Sequence, residues 1–140
     1  MPVNKKATVL LVDDHVGFLH EVSTLLIDEY EIVGTARNGR SALDAAQEFR
    51  PQIILLDIEM PILNGIEVAR TLRKTGTTSK IVFLTMHADP DYIRAAMEAG
   101  AAGYVFKSHL YHDLKLALEA VLANCAYVSR QASENNYRPS

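Results

Sequence analysis

Short apolar runs alternate with longer amphipathic segments along most of the chain. Residues 9–12, 53–56 and 81–84 are continuous apolar runs of four residues. Runs of this length are typical of parallel strands that are buried on both faces. Residues 32–36 are less apolar and predict an edge strand, and residues 104–106 predict a short fifth strand.

Each of these runs is followed by a segment with the apolar spacing of an amphipathic helix. The fifth is the clearest, because its apolar residues recur every three or four positions. Its stripe is Leu114, Ala117, Leu118, Val121 and Leu122. The stripes of the other four are Leu19, Val22, Leu25 and Leu26, then Ala42, Ala45, Ala46 and Phe49, then Ile66, Ala69 and Leu72, then Ile93, Ala96 and Met97.

Residues that mark helix boundaries agree with this division. Asp89 is predicted to be an N-cap, followed by Pro90 at the first helical position. Gly76 and Gly100 stand where the third and fourth helices should end. Five strand–helix units predict an α/β fold with a five-stranded parallel sheet and helices on both faces. For five units we expect the flavodoxin-like, doubly wound (βα)5 arrangement with strand order 2-1-3-4-5.

Length and composition fit one globular domain and exclude several functions. The 140 residues predict a domain over residues 1–128 and a polar tail or linker remnant over residues 129–140. A formal net charge of −3 gives no basic surface, so we expect no direct nucleic-acid contact. Cys125 is the single cysteine, and there is neither a signal peptide nor an apolar run long enough for a membrane helix. These features predict a cytoplasmic protein without a membrane anchor.

Polar side chains follow four of the predicted strands at the point where each strand ends. Asp13 and Asp14 follow the first strand, Asp57 the third, Thr85 ends the fourth, and Lys107 follows the fifth. Open α/β sheets bind ligands at the carboxyl ends of their strands. In the order 2-1-3-4-5 these strands are neighbours, so we expect the five side chains to converge.

Three carboxylates in one place repel each other and need a counter-charge. At ~4 Å each pair costs about 4 kcal/mol at an effective dielectric constant of 20. Lys107 supplies one positive charge, and Mg²⁺ suits all-oxygen ligands while retaining free coordination positions. With Mg²⁺, Lys107 and the Thr85 hydroxyl around it, a phosphoryl group on an aspartate would be neutralised. The pattern predicts a carboxylate that accepts a phosphoryl group.

Several motifs occur together in the order of a known family. They are the double acid Asp13-Asp14, the stretch Leu-Leu-Asp57-Ile-Glu-Met-Pro followed by Gly65, Thr85 at a strand end, and Gly-Tyr104-Val-Phe-Lys107. With these motifs, residues 8–122 resemble a response-regulator receiver domain of two-component signalling. Each motif alone is weak, and the specificity comes from their shared order and spacing.

The resemblance implies a role for each matching residue. Asp57 would be the phosphoacceptor, and Asp13, Asp14, Asp57 and the backbone carbonyl of Glu59 would hold Mg²⁺. Thr85 and Lys107 would bind the phosphoryl group, and Tyr104 would be the aromatic residue whose rotamer follows Thr85. Tyr104 could equally be an ordinary half-buried aromatic residue that packs on the fourth helix.

The resemblance also implies partners and an output. A sensor histidine kinase would donate the phosphoryl group, and the domain would catalyse only its own phosphorylation and dephosphorylation. Phosphorylation would change the surface of helix four, strand five and helix five, and so control homodimerisation and transcription.

His87, Glu59 and Met86 would form the rim of the pocket, and His87 and Glu59 would tune phosphate loss. His15 is expected to be a surface residue rather than a metal ligand.

The sequence departs from the family pattern after Lys107. Many receiver domains have a proline there in a cis peptide bond, but this chain has Ser108. A non-proline cis bond costs about 2.5–4 kcal/mol, so the bond is either trans with a shifted loop or cis and strained. The Lys107-Ser108 pair and the stretch 127–129 resemble the subfamily that precedes a LuxR-type helix-turn-helix domain. The sequence contains no such domain, which predicts a truncated or a stand-alone receiver.

Other functions fit the residues less well. A phosphorylation-independent interaction module with the same fold is favoured only by the missing proline. Phosphatases with an aspartyl nucleophile show Asp-x-Asp-x-Thr after the first strand, which this chain lacks. A dinucleotide-binding enzyme would need Gly-x-Gly-x-x-Gly there, which is also absent.

Overall fold

A computed structural model of the chain describes residues 5–130. Within this range, parallel strands form one sheet with the order β2-β1-β3-β4-β5-β6. The strands are β1 (Ala7–Val12), β2 (Tyr30–Ala36), β3 (Ile53–Leu56), β4 (Lys80–Thr85), β5 (Gly103–Phe106) and β6 (Tyr127–Val128). The predicted flavodoxin-like order of the first five strands is confirmed, and β2 is an edge strand as expected. The short strand β6 was not predicted, and it covers the outer edge of β5.

Helices connect the strands in the predicted alternation. They are α1 (Val16–Leu26), α2 (Gly39–Phe49), α3 (Gly65–Lys74), α4 (Pro90–Glu98) and α5 (Leu110–Leu122), and a 3-10 turn (Lys107–His109) precedes the last. Gly76 and Gly100 follow α3 and α4 with φ angles of 79° and 104°, the left-handed conformation expected after a helix. Among the described residues, no helix has the length and apolar character needed to span a membrane.

Helix caps agree with the sequence only in part. Asp89 occupies the N-cap position of α4 and Pro90 follows it, but the Asp89 side chain makes no capping hydrogen bond. A complete capping box begins α3 instead, where Asn64 and Glu67 each accept a hydrogen bond from the other's backbone N–H. This box fixes the start of the helix that follows the third strand, close to Asp57.

Two hydrophobic clusters lie on opposite faces of the sheet. Alternate residues of β1 separate them, because successive side chains of a strand point to opposite faces. Leu10 and Val12 pack with α2, α3 and α4, whereas Val9 and Leu11 pack with α1 and α5. Both faces of the central strands are therefore buried, which explains their continuous apolar sequences.

Two positions of the predicted apolar stripes are more exposed than the periodicity suggests. Leu122, the last residue of α5, is 38% exposed. Phe49, placed on the apolar stripe of the second helix, is 41% exposed at the end of α2. Its ring lies over Gly34 in the edge strand, and a Cβ atom at Gly34 would come within 2.8 Å of it. The ring covers the sheet edge rather than entering the core.

The segment after α5 is packed more closely than its polar sequence suggested. Ser129, which the sequence assigned to the polar tail, is buried. Its backbone N–H donates to the Tyr104 carbonyl at 2.8 Å, and its hydroxyl donates to Asp113 at 2.6 Å. Apart from Ser129 and Arg130, the predicted tail lies outside the described residues, and the domain boundary after residue 128 stays a prediction.

Candidate functional site

Asp13 and Asp57 lie side by side because their strands are neighbours. Asp57 directly follows β3, and its backbone N–H donates to the Val12 carbonyl of β1 at 3.1 Å. Asp13 directly follows β1 and donates its N–H to the Ala36 carbonyl at 3.0 Å. Both residues are buried, Asp13 with 3% and Asp57 with 6% of its surface exposed. Buried charges of the same sign require a positive partner.

Lys107 is that partner. Its Nζ lies 2.7 Å from Asp13 Oδ2 and 3.2 Å from Asp57 Oδ2, and its side chain is 9% exposed. The ammonium also lies 4.3 Å from the centre of the Phe18 ring, a cation–π contact that shields it from water. One lysine from the end of β5 thus bridges two buried acids from β1 and β3.

The peptide bond after Lys107 is trans. No cis peptide bond occurs among the described residues. Lys107 begins the 3-10 turn that leads into α5, and its side chain still reaches both carboxylates. Of the two alternatives left by Ser108, the trans bond is therefore the correct one.

Burial and neighbouring charges act in opposite directions on this ion triad. Burial raises the pKa of Asp57, the Lys107 ammonium lowers it, Asp13 raises it and a Thr85 hydrogen bond lowers it, and the net pKa is raised. Burial lowers the pKa of Lys107, but the hydrogen bond to Asp13 and the two negative charges outweigh burial and raise it. The lysine is therefore held firmly in its charged form between the acids.

Asp14 and His15 extend the acidic group towards solvent. Asp14 Oδ1 is buried and accepts no hydrogen bond. His15 Nδ1 lies 3.3 Å from Asp13 Oδ1 and 3.1 Å from Asp14 Oδ1, and its side chain is 73% exposed, as predicted for a surface residue. Ligand atoms of all three residues lie within 4.8 Å of one another. An Asp14 oxygen that accepts no hydrogen bond, in a group of three carboxylates with one lysine, fits a hard divalent cation such as Mg²⁺.

Thr85 and Tyr104 lie beneath this site, and both are fully buried. The Thr85 hydroxyl accepts a long hydrogen bond from the His87 backbone N–H at 3.4 Å. The Tyr104 hydroxyl donates to the His87 carbonyl at 2.7 Å, and its ring packs against Phe83 and Phe106. Of the two alternatives for Tyr104, the half-buried ring is therefore wrong in its burial. Thr85 and Tyr104 both contact the backbone of the loop after β4, so this loop links them.

The predicted rim residues occupy two loops. His87 Nε2 lies 3.3 Å from Glu59 Oε1 without the alignment of a hydrogen bond, and its ring stacks on Tyr92 with centroids 4.1 Å apart. Met86 is 71% exposed. The structure thus brings the two polar rim residues together across the pocket and leaves Met86 in solvent.

Gly65 allows the loop after Asp57 to close tightly. Its N–H donates to the Ile58 carbonyl at 2.7 Å. A Cβ atom at Gly65 would lie 2.1 Å from the Asp57 carbonyl oxygen, far closer than van der Waals contact. The glycine of the sequence motif is therefore required by a close approach of α3 to the backbone of Asp57.

Sequence reasoning missed two features near the site. Phe18 gave no signal, because its contact with Lys107 depends on how α1 packs. Asp113 gave a sequence signal that was overlooked. It lies on the apolar side of the fifth helix, three residues after Leu110 and four before Ala117. A buried acid at such a position needs hydrogen-bond partners, and Tyr127 and Ser129 provide them.

Comparison with known proteins agrees with the geometry. The family model described as the response regulator receiver domain matches residues 9–119. The transcriptional regulatory protein DegU of Brevibacillus brevis is 30% identical over 132 residues, which are 93% of this chain and 56% of that protein. The response regulator GacA of Pseudomonas protegens is 31% identical, over 94% of this chain and 65% of that protein. This chain therefore spans between half and two thirds of these relatives.

A solved structure extends the likeness to three dimensions. The LuxR-family two-component response regulator of Aurantimonas sp. SI85-9A1 matches with a TM-score of 0.87 and 32% identity. The match covers 93% of this chain and 94% of that chain. The resemblance seen in the sequence is confirmed, including its likeness to LuxR-type regulators. The chain belongs to the response regulator receiver domain family.

Proposed function

We propose that this chain is a phosphorylation-activated signalling switch in which Asp57 accepts a phosphoryl group. The observation that carries the proposal is the Lys107 ammonium held between the buried carboxylates of Asp13 and Asp57. That arrangement keeps a positive charge next to the acceptor oxygen, where the charge of a transferring phosphoryl group would develop. A sensor histidine kinase is the proposed donor.

The proposed reaction moves the phosphoryl group from an imidazole nitrogen to a carboxylate oxygen. An Asp57 oxygen attacks phosphorus, the P–N bond breaks, and the imidazole leaves and takes a proton from solvent. The product is a mixed anhydride on Asp57. Asp13, Asp14, Asp57 and the Glu59 carbonyl would hold Mg²⁺, which neutralises phosphoryl charge when bound. No substrate is turned over beyond this phosphorylation and the hydrolysis that reverses it.

The proposed switch follows from the added charge. A phosphoryl group brings roughly −1.5 to −2 charges at pH 7. Lys107 would then pair with the phosphoryl oxygens, and the Thr85 hydroxyl would turn to donate to one of them. Because Thr85 and Tyr104 both contact the backbone at His87, movement of Thr85 would be transmitted to Tyr104 and to the start of α4.

The output surface we propose lies between α4 and α5. The sequence predicted an output surface formed by helix four, strand five and helix five. In the structure β6 pairs with the outer edge of β5 and adjoins this surface. Pro90, Ile93, Tyr111 and Tyr127 line a groove of about 1320 Å³ there. We propose that phosphorylation changes this surface and promotes homodimerisation, which would organise a transcriptional output. The name of DegU describes a transcriptional regulatory protein, and we propose that DNA contact would come from a separate part of a full-length protein. The proposed location is the cytoplasm.

A direct test uses a small phosphoryl donor. With acetyl phosphate or phosphoramidate and Mg²⁺, we expect the intact mass of the protein to rise by one phosphoryl group. Hydroxylamine should release this phosphoryl group, as it does from an acyl phosphate. Chelation of divalent cations should prevent the reaction. If the mass stays unchanged with both donors in excess Mg²⁺, the chain would instead be the phosphorylation-independent module.

We predict that His87 and Glu59 tune the lifetime of the phosphorylated state. They face each other at 3.3 Å beside the pocket, and either can orient or exclude the water that attacks the phosphoryl group. His87→Ala and Glu59→Ala should each change the decay rate of the aspartyl phosphate by about 3- to 100-fold. Glu48→Ala, which removes an exposed acid on α2 outside the pocket, is the control. Unchanged half-lives in both variants would show that these residues have no part in hydrolysis.

A further inference from the structure

The carboxylate of Asp113 is buried on α5, with 4% of the residue exposed. Its Oδ2 accepts from the Ser129 hydroxyl at 2.6 Å, and its Oδ1 accepts from the Tyr127 hydroxyl at 2.8 Å and contacts His112 Nδ1 at 2.7 Å. His109 Nδ1 lies 3.5 Å from Asp113 Oδ2. Neither of the two hydroxyl donors comes from α5 itself, because Tyr127 and Ser129 belong to the segment that follows the helix.

The burial of this acid therefore depends on the docking of residues 127–129, which we call the latch segment. A buried carboxylate that lost these donors would be strongly unfavourable. The dependence also holds in the other direction. The latch segment includes only the two residues of β6 and Ser129, and so short a strand has little stability of its own.

The latch segment is bound to the last residues of β5 as well. The Ser129 hydroxyl accepts from the Phe106 backbone N–H at 3.1 Å, and the Ser129 N–H donates to the Tyr104 carbonyl at 2.8 Å. Val128 is paired with Tyr104 in the sheet. Ser129 thus joins Asp113 on α5 to the backbone of the residue that directly precedes Lys107.

This contact has a clear consequence at Lys107. The chain turns from β5 into the 3-10 turn at Lys107, and the peptide bond after Lys107 is trans and carries no proline ring. On one side β5 is held by β4, where Thr85 pairs with Phe106. On its outer side the end of β5 is held by the latch segment. The point from which the Lys107 side chain extends is therefore set partly by Ser129 and Asp113.

We propose that Asp113 and Ser129 are positioning residues for Lys107, and that docking of the latch segment and occupation of the Asp57 phosphoryl site favour each other. The proposal rests on the proposed function, since Lys107 must contact the phosphoryl group for the two events to be linked. Linkage is reciprocal, so ligand binding at Asp57 must stabilise the latch segment by the same factor as the latch strengthens binding. Arg130 continues directly from the latch segment, so the chain at this point would sense the phosphorylated state.

The test combines affinity with amide exchange, using beryllofluoride and Mg²⁺ as the probe. Ser129→Ala and Asp113→Asn should each weaken beryllofluoride binding by roughly 5- to 50-fold in calorimetry. Ser41→Ala and Asp44→Asn, which change exposed residues of the same types on α2, should bind like wild type. In wild type, beryllofluoride should slow hydrogen exchange at the Phe106 and Ser129 amides, and Asp57→Ala should show no such slowing.

The exchange measurement needs no latch variant, so it decides the question even if one of the two variants fails to fold. The proposed linkage would be refuted if wild type bound beryllofluoride, the folded variants bound it with the same affinity, and hydrogen exchange at both amides were unchanged. The proposed function would then still stand. Failure of wild type to bind beryllofluoride with Mg²⁺ would overturn the proposed function and the linkage together.

Discussion

Asp57→Ala is expected to abolish phosphoryl incorporation, with a loss of about 10³-fold or more. The change removes the nucleophilic oxygen, and neither Asp13 nor Asp14 can replace it. Asp13 is paired to Lys107 at 2.7 Å, and Asp14 lies nearer to solvent. Intact-mass measurement after incubation with a small phosphoryl donor and Mg²⁺ gives the result directly. Light scattering with beryllofluoride and Mg²⁺ should show an increase in molar mass for wild type and none for the variant.

The same variant should show a different effect on stability. The net pKa of Asp57 is raised by burial, so the folded state binds the proton more tightly than the unfolded chain does. Stability then falls as pH rises from the ordinary aspartate value of about 3.9 to the raised folded-state value, and the loss persists above it. Without divalent cations at neutral pH, Asp57→Ala should therefore be at least as stable as wild type in urea unfolding.

The matched control is Asp44→Ala, which removes an exposed acid on α2. It should leave both phosphorylation and the pH dependence of stability unchanged. If Asp57→Ala still gained one phosphoryl group per chain that hydroxylamine releases, another carboxylate would be the acceptor. If the variant unfolded at neutral pH, loss of activity would report a damaged fold rather than a missing nucleophile.

The convergence of Asp13, Asp57 and Lys107 could be predicted because it follows from topology. In a parallel sheet every carboxyl end lies at the same edge, and the order of β1, β3, β4 and β5 brings residues at those ends together. Continuous apolar sequences marked the strands, and each strand ended at a polar residue. The role of each residue then required the family resemblance, since periodicity says nothing about whether Thr85 or Tyr104 moves.

Features that depend on tertiary contacts could not be predicted in this way. The strand β6 is two residues long, too short for a periodic signal, and it forms because β5 offers an unpaired edge and Asp113 accepts from its neighbours. The trans bond at Ser108, in contrast, is the form that any non-proline residue favours, by about 2.5–4 kcal/mol over cis. Phe49 fits the helical stripe but lies at its end, where covering Gly34 leaves it partly in solvent.

Lys107→Ala is the second variant with a large expected effect, and it should act in opposite directions on two measurements. Phosphorylation from a small donor should slow by about 10²–10³-fold, because a preorganised positive charge beside the transferring group is lost. Mg²⁺ binding in the unphosphorylated protein should become tighter. In wild type the ammonium holds Asp13 Oδ2 and Asp57 Oδ2, and its removal leaves three carboxylates with no positive side chain between them.

These opposite changes separate a charge effect from damage to the fold. Lys115→Ala removes a surface lysine that pairs with Glu29 at 2.7 Å, and it should change neither quantity. Titration calorimetry with Mg²⁺ and intact-mass kinetics would measure the two quantities on the same sample. If Lys107→Ala weakened Mg²⁺ binding and phosphorylation alike, the lysine would serve mainly to hold the site together. If phosphorylation stayed at the wild-type rate, the contact between Lys107 and Asp57 would be a structural ion pair. The position of the Lys107 ammonium would then no longer support the proposed function.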